Sequence, residues 1–84
     1  GFEPYYWKGE GEVDFVLNNP DNTLAAINVS YTDALPERET DALREFAGAF
    51  GDRVRDLVLI TKDTAGEVEG IRCVPLWKWL LGAV

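Results

Sequence analysis

One change of period organises this chain. In TDALPERETDALREFAGAFG, from Thr32 to Gly51, Leu43, Phe46, Ala47 and Phe50 recur at i, i+3, i+4 and i+7. That is the stripe of an amphipathic helix. Pro36, or the residues just before it, suits the helix entry, and Gly51 suits its end. Directly afterwards Asp56–Thr61, DLVLIT, is a near-continuous apolar run. After a helix it reads as a buried strand, parallel to an earlier one.

The residues ahead of the helix have a different rhythm. Tyr5–Lys8 is aromatic-rich and ends at Gly9 and Gly11, so it reads as a strand with a turn after it. Glu12–Leu17 is a second strand, stopped by the turn formers Asn18–Asn22, NNPDN. Leu24–Tyr31 is a third, and the three close neighbours suggest an antiparallel meander. Beyond Thr61, KDTAGEVEG reads as a polar turn region, and Val68–Val74 as one more strand with Ile71 and Cys73 on one face. Pro75 opens a short helix, PLWKWLLG, whose stripe is Trp77, Leu80 and Leu81, widened by Leu76 and Trp79. The order β-β-β-α-β-β-α predicts an α/β or α+β mixed sheet with a helix crossing one face.

The 84 residues make one domain. A domain of that size buries only ~60–65% of the surface its unfolded chain exposes, so each large apolar residue matters. The chain begins without Met, on FEPYYWKG, which reads as a segment of a longer protein. Its formal net charge is −7, from eight basic and fifteen acidic residues. That balance repels a polyanion and weighs against nucleic acid as a partner. The absence of His removes Ser-His-Asp and Cys-His catalysis, along with the commonest transition-metal ligand. Cys73 is alone, so no intrachain disulfide forms, which fits a reducing, cytoplasmic location. No apolar run approaches the ~18–20 residues of a membrane span. There is no Gly-rich P-loop for ATP.

Two carboxylates stand out at the mouth of the second strand, in GEGEVDFVLNN. Alternation places Glu12, Asp14 and Val16 on one face, and Val13, Phe15 and Leu17 on the other. In the third strand Asn28 and Ser30 share a face. If the strands pair, Asp14 sits beside Asn28 and Ser30. The plainer reading of Glu12 and Asp14 is structural hydrogen bonding. Arg38 and Glu39 reach the same region from the helix start, or form an ion pair with an acid favourably placed at a helix N-terminus. Trp77 and Trp79 read as packing anchors or part of an interface. Thr61-Lys62-Asp63 reads as a strand-ending turn rather than a phosphate contact.

Glu12-Val13-Asp14-Phe15, Asn28-Val29-Ser30-Tyr31, Arg38-Glu39 and the closing Pro75-Leu76-Trp77 carry a resemblance over nearly the whole chain. It resembles the C-terminal domain of prokaryotic AAA-type ATPases, and through it the PD-(D/E)XK, restriction-endonuclease-like group. In active members of that group an Asp and the acid of an E-x-K pattern bind a divalent cation, and the Lys helps activate water. Asp14 matches the Asp, Asn28 stands where the second acid belongs, and Ser30 stands where the Lys belongs. The resemblance therefore implies a restriction-endonuclease-like α/β fold with a degenerate cluster of Glu12, Asp14, Asn28, Ser30, Arg38 and Glu39. The expected function is a non-catalytic accessory domain, without a cofactor, that interacts with the ATPase domain of its parent chain. A homo-oligomer is left open. The alternatives are a divergent nuclease that holds Mg²⁺ or Mn²⁺ at Asp14, and a nucleic-acid-binding remnant with a basic groove of Lys8, Arg38, Arg44 and Arg72.

Overall fold

A computed structural model describes residues 5–82. The elements are β1 (Tyr5–Lys8), β2 (Glu12–Asn18), β3 (Leu24–Val29), α1 (Glu37–Phe50), β4 (Val54–Thr61), β5 (Gly66–Val68), β6 (Ile71–Pro75) and α2 (Leu76–Leu80). A single 3₁₀ turn, Gly51–Arg53, joins α1 to β4. The strands form one mixed sheet in the order β1-β2-β3-β4-β6-β5. The first three strands make the expected antiparallel meander. Helix α1 then carries the chain to β4, which lies parallel to β3, as its continuous apolar run predicts.

The helix is anchored as its period requires. Leu43 and Phe46 are buried and Phe50 is half-buried, packed with Val13, Val16, Leu59 and Ile71 and against Leu57. Trp7 comes in from β1, with its ring edge-on to Phe46 at 5.4 Å between centroids. Phe46 and Phe50 lie 4.6 Å apart. Ile27, Val58, Ile60 and Val74 form a second cluster, joined by Leu17, Leu76 and Trp79. Strands β3, β4 and β6 thus contribute apolar residues to both clusters. Glu37 and Glu39 in the first turn of α1 favour its N-terminus. Gly51 ends it at φ 56°, a conformation easy only for glycine.

Three local expectations change. Val68–Val74 is not one strand: β5 and β6 are a hairpin turning at Glu69 and Gly70, whose φ values are 49° and 84°. Two successive positive φ values suit the type of two-residue turn that matches strand twist. The glutamate in first position hid it. The third strand stops at Val29, because the amides of Ser30 and Tyr31 both turn to the Ile60 carbonyl, at 3.0 and 3.3 Å. Helix α2 turns Leu76 and Trp79 inward and leaves Trp77, Leu80 and Leu81 exposed. A single helical turn starting directly from β6 presents only one narrow edge to the sheet. Among the described residues no helix is long and apolar enough to cross a membrane.

Candidate functional site

The turn between β1 and β2 comes first, because it delivers the carboxylates. The Glu45 carboxylate on α1 accepts hydrogen bonds from the amides of Glu10 and Gly11, both at 2.9 Å. These two bonds hold the Glu45 carboxyl below its ordinary value. The helix comes so close that a Cβ on Gly9 would lie 2.6 Å from a Glu45 carboxylate oxygen, and one on Gly11 2.8 Å from the Ala42 Cβ. At Gly11, where the neighbour is the short side chain and backbone of Ala42, glycine is needed for space.

Strand β2 then departs from strict alternation. Tyr5 pairs with Val16 but Trp7 pairs with Val13, so three steps of β2 oppose two of β1. This bulge at Asp14–Phe15 puts Val13 and Val16 together in the core beneath α1. Phe15 and Leu17 go to the opposite face, beside Ile27 and Val29. The expected grouping of Val16 with Glu12 and Asp14, and of Val13 with Phe15 and Leu17, fails for this reason. A single inserted residue inverts the pleat.

Asn28 repairs the ladder where the bulge interrupts it. Backbone pairing of β2 with β3 runs from Asn18↔Leu24 to Phe15↔Ile27. At the next position the Asp14 amide donates to Asn28 Oδ1 at 2.8 Å, and the Val29 amide donates to Asp14 Oδ2 at 3.0 Å. The Asn28 Nδ2 donates to the carbonyls of Glu12, at 3.1 Å, and of Glu39, at 3.2 Å. One completely buried amide therefore ties the bulge of β2 to the first turn of α1.

Lys8, Glu10, Glu12, Asp14, Arg38 and Glu39 line a cleft of about 490 Å³ above this tie. Burial pushes the Glu39 carboxyl above its ordinary value. The Asp14 charge adds to the shift, Arg38 opposes it, and Glu12 adds again. Ser30 stands apart: its Oγ donates to the Ile60 carbonyl at 3.2 Å, so it belongs to the β3–β4 joint. Each residue of the basic quartet lies beside a carboxylate. Lys8 is 4.0 Å from Glu12, Arg38 3.8 Å from Glu39, Arg44 2.6 Å from Glu69, and Arg72 2.7 Å from Asp56. Trp77 is exposed and Trp79 packs against the second cluster.

The profile of a family described as a domain of unknown function, DUF4143, matches residues 1–79. The chain belongs to the DUF4143 family. No curated protein and no solved structure matches this DUF4143 domain.

Two long-range ties, one at the cleft and one at the end of β4, escape sequence reading. Glu45 lies 34 residues from Gly11. Its only sequence signal is the alternate glycines of GEGE, which mark a close approach without naming the partner. Asp33 accepts from the Asp63 and Thr64 amides, at 2.9 and 2.7 Å, and from the Thr64 hydroxyl at 2.6 Å. These bonds draw the Asp33 carboxyl below its ordinary value. The Thr61 hydroxyl bonds the Thr64 carbonyl at 2.6 Å, so Thr61-Lys62-Asp63 does form part of a closed turn.

Proposed function

We propose that this DUF4143 domain is a non-catalytic accessory and interaction domain of an AAA-type ATPase. Its fold is restriction-endonuclease-like, and the positions that hold metal and lysine in active members of that group are put to structural use. The observation that carries the reading is the engagement of Asn28. Hard cations need oxygen lone pairs facing them. Here the Asn28 oxygen faces the Asp14 amide, and its amide hydrogens face two carbonyls. One Asp14 oxygen is taken by the Val29 amide, and Ser30 supplies no cation beside a phosphate. This donor set does not fit Mg²⁺ or Mn²⁺.

The mixed sheet with α1 across one face supports the fold assignment. The pairing of Lys8, Arg38, Arg44 and Arg72 with acids, in a chain of net charge −7, supports a partner other than nucleic acid. The AAA-type ATPase as parent and partner rests on the sequence resemblance.

The test is prolonged incubation with supercoiled plasmid, Mn²⁺ and low salt, beside Asp14→Ala. Neither protein should nick the plasmid. Nicking by the wild type that disappears in Asp14→Ala overturns the non-catalytic reading and establishes the divergent nuclease.

A further inference from the structure

The two faces of the sheet are unequally covered. One lies under the fourteen residues of α1. Among the described residues the other has only the five residues of α2, which place Leu76 and Trp79 over the second cluster. Parallel strands such as β3, β4 and β6 are normally covered on both faces. Beside α2 runs a groove of about 330 Å³ lined by Phe15, Leu17, Ile27, Val29, Trp79 and Leu80, with no charged side chain in it.

Several exposed apolar side chains lie at or next to this groove; Val68 on β5 is exposed elsewhere, beside Arg44 and Glu69. Phe15 is 47% exposed, Val29 40% and Leu80 73%; Leu81, just past the end of α2, is 75% exposed and Trp77, on α2, 55%. Side chains of these sizes at these fractions present on the order of 500 Å² of apolar surface. A standard-size interface buries ~800 Å² per partner, of which ~60% is apolar. The patch thus supplies about the apolar share that one half of a stable dimer needs.

We propose that this face is the interface of a two-fold homodimer. The patch combines a floor, Phe15 and Val29, with a ridge, Trp77, Leu80 and Leu81. In a two-fold contact the ridge of each copy meets the floor of the other, so both contacts form together and the assembly closes. The groove lining itself carries no ion to desolvate. The net charge of −7 on each copy opposes association at a distance, and salt screens that repulsion. The dimer therefore strengthens with ionic strength. The proposal stands independently of the ATPase and nuclease-like assignments.

Sedimentation equilibrium of the 84-residue chain at low and high salt tests it. The expected result is a monomer–dimer equilibrium that shifts toward dimer with added salt. Leu80→Glu, and separately Val29→Glu, should raise the dissociation constant at least ~10-fold. Leu80 is exposed enough for its variant to keep the wild-type circular dichroism and melting curve, so loss of the dimer reads as loss of the interface. A monomer at every concentration up to ~1 mM in high salt overturns the proposal. So does a dimer that both well-folded variants leave unchanged, since it would use another face.

Discussion

Replacing Asn28 separates a structural amide from a vestigial metal ligand. Asn28 is completely buried and makes three hydrogen bonds, one accepted and two donated. Each such bond contributes ~0.5–1.5 kcal/mol net, and more where the abandoned partner stays buried. Asn28→Ala frees the Asp14 amide and the Glu12 and Glu39 carbonyls, which lie at the edge of an open cleft where water recovers part of the loss. The expected cost is ~2–4 kcal/mol. A chain of this length has roughly 4–12 kcal/mol in total. With ~4–8 °C per kcal/mol, the melting temperature should fall by at least ~8 °C.

Asn28→Asp sharpens the distinction. It keeps the acceptor for the Asp14 amide, turns a carboxylate oxygen toward two carbonyls, and adds a buried negative charge near Glu39 and Asp14. Burial and like charge raise the folded value of the new carboxyl above its unfolded ~3.9. The penalty is therefore full near neutral pH, and it shrinks as pH falls through that raised value. Urea unfolding of the three proteins at several pH values, with and without Mn²⁺, reads all of this. Asn28→Ala costing under ~1 kcal/mol would refute the tie. Asn28→Asp as stable as wild type, or rescued several degrees by Mn²⁺, would show that Asp14 and position 28 converge on a cation site.

Two other predictions concern the scaffold. Phe46→Ala should cost ~3–5 kcal/mol, since Phe46 is fully buried between α1, Trp7 and Leu59; a thermal shift of a degree or two would mean that the cluster beneath α1 is not the main core. Glu45→Gln should weaken the Gly9–Gly11 turn near neutral pH only. The Glu45 carboxyl is depressed, so its contribution is present above the unfolded value of ~4.3 and lost as pH falls through the folded one. A difference between Glu45→Gln and wild type that does not change with pH would contradict the clamp.

The sequence by itself determined the elements whose signal is local. The 3.6-residue stripe of Leu43, Phe46 and Phe50 marks α1, and Gly51 marks its end, because both depend on residues within one or two turns. The apolar run at Leu57–Ile60 marks β4 as buried on both faces, and NNPDN marks the turn between β2 and β3. What Asn28 does was decided only by the tertiary structure. The bulge at Asp14–Phe15 arises from pairing with β1, so no period within β2 announces it. That one extra residue sends Phe15 to the face opposite α1 and brings the Asp14 amide to the Asn28 oxygen. The Glu45 clamp and the Asp33 tie span 34 and about 30 residues, so they exist only once α1 and β4 are packed. Local pattern sets an element's type and its apolar side. Contacts between residues far apart in the chain decide which polar groups meet, and the candidate site is made of those contacts.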